Sequence, residues 1–133
     1  MVQLGDPAWD LAGAFQLFAR CWVDSMPLAA SLSIDERVAL ASFPLDLVQG
    51  LSRSLWHGYQ TASEARPDFD LLLDRAVKFS ASRMIQAAYE ISASLPALDP
   101  RSVFMLQLGA NVLSRSDVAH TELFGIPQRT PSQ

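Results

Sequence analysis

Apolar residues recur at helical spacing along most of the chain, and no segment shows the strict alternation of a half-buried strand. The first periodic stretch runs from Pro7 to about Ser25. Its apolar positions cover most of the helix circumference and leave one narrow polar stripe, formed by Gln16, Arg20 and Asp24. Because a helix that is apolar nearly all round is typical of a buried helix, we expect this one to be central and packed on most sides.

Start and stop signals divide the rest of the chain into further helices. Ser33 and Glu36 have the spacing of a capping box and predict a short helix. The other helices are predicted over 44–62, over 68–94, over 99–114 and over 117–124, where Gly125 closes the last one. The helix over 68–94 is long enough to accommodate a kink near Ser80–Ser82. We therefore predict an all-α fold with four to five helices around a buried central helix, as one domain over residues 1–125 followed by a flexible tail over 126–133.

Composition and charge exclude several classes of protein. Half of the 133 residues are hydrophobic and 18% are charged, which argues against a disordered chain. The net charge of −4 and the single lysine, Lys78, argue against a nucleic-acid partner, because phosphate binding needs clustered cations. No stretch approaches the roughly 20 apolar residues of a membrane span, and the opening residues lack a basic n-region and a cleavage site, so we do not expect export. We expect a cytoplasmic protein with no nucleic-acid or membrane partner.

Few residues with reactive side chains are present, and they are scattered. Cys21 is the only cysteine, which excludes an internal disulfide, and we expect it to be buried and inert. His57 and His120 lack helix-spaced partners, so we interpret them as ordinary surface or helix-end histidines and not as metal ligands. Trp22 and Trp56 fall on apolar stripes and are predicted to lie in the core. We assign no catalytic residue, no metal ligand and no substrate-binding residue.

One acidic cluster surrounds the start of the helix predicted over 68–94. It consists of Glu64, Asp68, Asp70 and Asp74. Aspartate is favoured at a helix N-terminus because the backbone N–H groups there carry partial positive charge. We therefore interpret the cluster as a solvated helix start.

The segment Gly5–Gly13 reads G-D-P-A-W-D-L-A-G and opens the first helix. Asp6 is the predicted N-cap, and Pro7 takes the first helical position, where its missing N–H costs nothing. Asp10 follows one turn later in apolar company, where we expect a carboxylate to need a partner. G-D-P-A-W-D-L-A resembles the signature that opens the central C-lobe helix of the aminoglycoside phosphotransferase and choline kinase-like family, whose fold is similar to that of protein kinases.

Three further segments resemble, in order, later parts of a bacterial subgroup of that family. Trp56–Tyr59 is similar to its W-x-G-Y helix, and Arg83–Glu90 is similar to its R-L-x-Q-x-A-Y-E helix. The segments Asn111–Leu113 and Leu123–Gly125 of this chain resemble the closing segment of the family. The resemblance therefore spans nearly the whole chain and implies the helical C-lobe of a kinase-like fold.

The resemblance also implies an activity, the ATP-dependent transfer of a phosphoryl group to a hydroxyl of a small molecule, aided by Mg²⁺ and a catalytic Asp. The glycine-rich phosphate loop, the H-x-D catalytic loop and the metal-binding Asp are all missing from these 133 residues. In the family the metal-binding Asp comes shortly before G-D-P, where this sequence has only Met1 to Leu4. We interpret Met1 as an internal methionine of a longer ancestral frame, and we expect a truncated, inactive C-lobe with no cofactor of its own.

The resemblance assigns a structural role to Asp10. In the family, the matching aspartate accepts hydrogen bonds from the backbone of the catalytic loop and does not touch substrate. Asp10 would then support a loop that is missing here. The resemblance also offers a second interpretation of the acidic cluster, as carboxylates that hold the cationic amines of a substrate.

Two classes of function remain open. The chain is either the substrate-side portion of a phosphotransferase, completed by a missing N-terminal kinase half, or a non-enzymatic helical module. A lobe without its neighbour exposes an apolar face, through which the module would self-associate or bind a partner.

Overall fold

The computed structural model describes residues 7–27, 29, 31–63, 68–93 and 100–127. Every regular element in these ranges is an α-helix, which confirms the predicted all-α class. None of the helices described is long and apolar enough to cross a membrane. The helices are α1 (Pro7–Asp24), α2 (Ile34–Ala39), α3 (Leu45–Ala62), α4 (Phe69–Ala93), α5 (Pro100–Ser114) and α6 (Ser116–Glu122).

Helix boundaries follow the local capping chemistry. The Glu36 N–H donates to Ser33 Oγ at 3.2 Å, and the Ser33 N–H donates to Glu36 Oε1 at 3.1 Å, which is the predicted capping box of α2. Pro44 is the N-cap of α3, in agreement with the predicted start. Asp6, the predicted N-cap of α1, and Asp99, the predicted first residue of the helix over 99–114, lie outside the described residues.

The helix at the centre of the fold is α4 and not α1. The two largest helix contacts are those of α4 with α5 and of α4 with α1. Small side chains allow this close approach. A Cβ added to Gly109 of α5 would lie 3.0 Å from the carbonyl oxygen of Ala81, and 2.8 Å from Ile85 Cγ1. The helix α4 runs unbroken through Ser80–Ser82.

The prediction that α1 is a buried helix is confirmed in part, because eight of its 18 residues are buried and only four are exposed. One face of α1 packs on α4 and α3, but Trp9 and Leu17 are 47% and 54% exposed. Gln16, which was expected in a polar stripe, is buried against the core. The apolar residues of α1 outnumber the positions that α3, α4 and α5 cover, so the pattern alone overstated burial.

The core joins α1 to the C-terminal end of the described chain. Phe15 and Phe124 are both fully buried, and their ring centroids lie 4.9 Å apart. Trp22 and Trp56 are each 6% exposed, which confirms their predicted place in the core. This packing fixes the segment after α6 against α1, while α6 itself contacts α4 and α5.

The apolar face of α3 that helical spacing predicts is only partly buried. That face comprises Phe43, Leu47, Val48, Leu51, Leu55 and Tyr59. Val48 is buried together with Ser52 and Trp56, whereas Leu47 and Leu51 are 42% and 37% exposed. The large ring of Trp56 makes this stripe the better one to bury, and the leucines are left at the outer edge.

The packed part of the chain extends beyond the predicted boundary at residue 125. The Ile126 N–H donates to the His120 carbonyl oxygen at 2.7 Å, and the Ile126 side chain is buried. Gly125 turns the chain with φ of 65°, a conformation that favours glycine. Ile126 therefore belongs to the domain, while residues 128–133 of the predicted tail lie outside the described residues.

Candidate binding cleft between α3, α4 and α6

A cavity of about 550 Å³ opens between α3, α4, α6 and the segment after α6. This volume is within the usual range for a small-molecule site. We call it the polar cleft, because charged and polar side chains line it over an apolar base. Its lining residues are Arg53, Trp56, His57, Gln60, Asp70, Leu73, Asp74, His120, Ile126 and Pro127.

Asp74 of α4 is the best-connected carboxylate in the cleft. It accepts hydrogen bonds from Lys78 Nζ at 2.7 Å and from Ser116 Oγ at 3.1 Å, and its Oδ1 lies 3.4 Å from His120 Nε2. Burial raises the pKa of Asp74, but the Lys78 and Ser116 hydrogen bonds and the charges of Lys78 and His120 outweigh it, so the net pKa is lowered. Asp74 is therefore ionised at neutral pH and fixes α6 to α4.

His120 is a buried imidazole at the edge of the cleft. The residue is 3% exposed. Burial lowers the pKa of His120, and the opposing influence of Asp74 offsets this only in part. His120 is thus neutral at pH 7. His120 lies in the last turn of α6, in agreement with the helix-end interpretation, but its side chain is buried and does not lie on the surface.

The α3 side of the cleft carries positive charge and the start of α4 carries negative charge. Arg53 Nε donates to the Gly125 carbonyl oxygen at 2.9 Å, and exposed His57 follows one turn later on the same face. Asp70, in the first turn of α4, is also exposed. Within the described residues neither Arg53 nor Asp70 forms an ion pair. The cleft is therefore lined by one cation and one anion whose charges are not neutralised by a neighbouring side chain.

The predicted acidic cluster is divided by the fold. Asp70 is exposed, as expected of a solvated helix start, but Asp74 is held by the donors of α4 and α6. Asp68 is half-buried, and Glu64 lies outside the described residues. The i, i+4 spacing of Asp74 and Lys78 was the one signal in the sequence that could have set Asp74 apart.

Asp10 lies in a different environment from Asp74. It is exposed in the first turn of α1, so solvent is available to a carboxylate that was expected to need a partner. Leu11 and Ala12, which follow it in sequence, are buried in the core. Asp10 stands at the rim of a cleft of about 240 Å³, which we call the α1 cleft. The other lining residues are Pro7, Leu11, Ala14, Leu55 and Tyr59.

Trp9 holds the first turn of α1 against α4. Its ring meets the edge of Phe79 at a centroid distance of 5.5 Å, and Arg83 Cζ lies 5.1 Å above it. These aromatic and cation–π contacts fix the end of α1 while nearly half of the Trp9 surface stays open. Asp10 is therefore exposed on a helix end whose position is fixed by packing.

Comparisons of the chain with protein-family models, with curated proteins and with solved structures found no match.

The remaining candidate residues form no further site in the described part of the chain. Cys21 was predicted to be buried, but it is only half-buried on α1. His57 is exposed, as expected. Within the described ranges, no group of three or more histidine, cysteine, aspartate or glutamate side chains has the arrangement of a metal site.

Proposed function

We propose that this chain is the C-terminal, substrate-side helical portion of an aminoglycoside phosphotransferase-like, ATP-dependent small-molecule kinase. The nucleotide, the Mg²⁺ ion and the catalytic residues belong to a half of the protein outside these 133 residues. This chain contributes the helical support and the walls of the acceptor pocket. By itself it neither binds nor hydrolyses ATP.

The exposed position of Asp10 is the observation that supports the proposal. A carboxylate that accepts hydrogen bonds from the catalytic loop must be reachable from outside its own lobe. Asp10 is exposed on a helix end that Trp9 fixes, and it borders the open α1 cleft. Apolar Leu55 and half-buried Tyr59 line the same cleft and offer a surface for a neighbouring lobe.

The coding sequence upstream of Met1 tests this proposal first. An in-frame H-x-D-x-x-x-x-N segment, followed by D-W-E just before Gly5, would support it. A stop codon in that frame would contradict it.

Activity of the extended chain gives the second test. With that upstream half joined, Asp10→Asn is expected to lower kcat at least about tenfold, because the catalytic loop loses its anchor. Asp46→Asn, an equal change of charge on the first turn of α3, should leave kcat unchanged. Equal activity of the two variants would contradict the role of Asp10. Saturable Mg²⁺-ATP binding by the 133-residue chain alone would contradict the proposal that the nucleotide site lies in the other half.

A second candidate function, a non-enzymatic interaction module, is favoured by a different observation. Leu17 of α1 and Leu47 and Leu51 of α3 are all substantially exposed. Apolar surface of this kind drives association when its members are contiguous. Sedimentation equilibrium of the parent chain and of Leu51→Lys distinguishes the two candidates. The module predicts a dimer or higher oligomer that the lysine dissociates, whereas the phosphotransferase portion predicts no dependence on residue 51.

A further inference from the structure

We propose that the polar cleft binds a small zwitterion, a molecule with one carboxylate and one ammonium group joined by a short alkyl chain. Arg53 receives the carboxylate and Asp70 receives the ammonium group. The inference does not rest on the proposed phosphotransferase function, since every group it uses belongs to the described part of this chain.

The separation of charge across the cleft carries the inference. The Asp74 carboxylate is already compensated by Lys78 at 2.7 Å. Arg53 on α3 and Asp70 on α4 therefore remain as the cation and the anion that line the cleft without an ion pair among the described residues. A ligand with a single charge would satisfy only one of them, whereas a zwitterion satisfies both and adds no net charge to the cleft.

Arg53 is prepared to receive a carboxylate. Its Nε already donates to the Gly125 carbonyl oxygen at 2.9 Å, which fixes the guanidinium against the segment after α6. A guanidinium has five N–H donors, so four remain for a ligand. Arginine presents these donors in a planar fork that matches a carboxylate. The turn at Gly125 depends on glycine, because its φ is 65° and an added Cβ would lie 2.6 Å from Gln49 Cβ, with the Arg53 guanidinium also close at 2.9 Å.

The apolar lining of the cleft suits an alkyl chain between the two charged groups. Trp56, Leu73 and Ile126 line the cavity, and each is at least nine-tenths buried, so their positions are fixed by the core. Neutral His120, held 3.4 Å from Asp74, adds a polar edge without a further charge. Burial of methylene groups on this surface contributes to affinity in addition to the charges.

Isothermal titration of the whole chain with matched probes tests the proposal. The zwitterions are γ-aminobutyrate, δ-aminovalerate and ε-aminocaproate, which span a range of charge separations. The singly charged controls are valerate and pentylamine. At least one zwitterion is expected to bind saturably with a Kd of about 1 mM or tighter, and valerate and pentylamine at least about tenfold more weakly. No saturable binding of any of the three zwitterions would overturn the proposal.

Variants separate the two ends of the site. Asp70→Asn should weaken the best zwitterion about tenfold and leave valerate binding unchanged, because the exposed carboxylate contacts only the ammonium group. Arg53→Gln should weaken the zwitterion similarly and leave pentylamine unchanged. Asp46→Asn, at the far end of α3, should change none of these affinities. If pentylamine binds as tightly as the zwitterion, or if Asp70→Asn has no effect, the paired-charge site is wrong.

Discussion

Asp74 lies among donors from α4 and α6, whereas Asp10 lies on the open end of α1. Asp74 accepts from Lys78 and Ser116 and stands close to buried His120, so its charge is used within the fold. Asp10 is exposed beside an open cleft. An acidic residue that is flanked by apolar residues in the sequence can either stabilise the fold or contact a partner. Only its position in the folded structure shows which of these two roles it has.

The clefts beside Asp74 and Asp10 also differ in how far the core encloses them. The polar cleft has an apolar base of Trp56, Leu73 and Ile126, each at least nine-tenths buried. The α1 cleft is bordered by apolar side chains and ends at solvent. We therefore expect disturbances near Asp74 to change stability, and disturbances at Asp10 to change association or activity instead.

Removal of the Phe124 ring should have the largest effect. Phe124 is fully buried against Phe15, so Phe124→Ala leaves a cavity and is expected to cost about 3–5 kcal/mol of unfolding free energy. Urea unfolding measures the loss. Tyr89→Ala, at a 66% exposed position of α4, is the control and should change stability by no more than about 0.5 kcal/mol. A loss as small as that of the control would mean that α6 is not fixed to the core.

Acidification should weaken the Asp74 region next. The folded-state pKa of His120 is lowered by burial below its ordinary value of 6.5, so the unfolded chain binds more protons as the pH falls below that value. The pKa of Asp74 is lowered by Lys78 and Ser116, which adds a second loss below pH 3.8. The free energy of unfolding should therefore fall as the pH drops below about 6.5.

Urea midpoints measured over this range of pH check the prediction. His120→Asn should flatten the dependence between pH 7 and 5, whereas exposed His57→Asn should keep it. An unchanged slope in His120→Asn would show that another group titrates.

Loss of the lysine partner should have a smaller effect. The Lys78 side chain is 49% exposed, so its ion pair with Asp74 is screened by solvent and Lys78→Met is expected to cost only about 0–1 kcal/mol. Thermal unfolding at low and high salt measures this contribution, which should shrink as salt is added. A salt-independent loss of several kcal/mol would place the pair deeper in the fold than the structure does.

The sequence predicted the helices well and the partners of the polar residues poorly. Caps act locally, so Ser33 and Pro44 could be placed from their neighbours alone. Which residues of the predicted apolar face of α3 would be buried, Val48 and not Leu47 or Leu51, depended on the helices that cover it, and periodicity does not contain that information. The partners of Asp74 include a residue 42 positions away, Ser116, which no local pattern could supply.

The residues of the candidate site also depend on contacts between distant parts of the chain, which the sequence pattern does not show. Arg53 was not singled out from the sequence, because its place in the polar cleft depends on the turn at Gly125. His120 was interpreted as a surface or helix-end histidine because it lacks helix-spaced partners, and its burial follows from the docking of α6 onto α4. The family resemblance identified Asp10 but could not foresee its exposure.

Paired thermal unfolding of Asp10→Asn and Asp74→Asn at pH 7 tests the central claim most directly. Asp74→Asn should lose about 1–2 kcal/mol of unfolding free energy, because Lys78 and Ser116 lose a charged acceptor. Asp10→Asn should stay within about 0.5 kcal/mol of the parent chain, since Asp10 is exposed. If Asp10→Asn melts as low as Asp74→Asn, Asp10 has its partner within these 133 residues, and the account of an outward-facing Asp10 is contradicted.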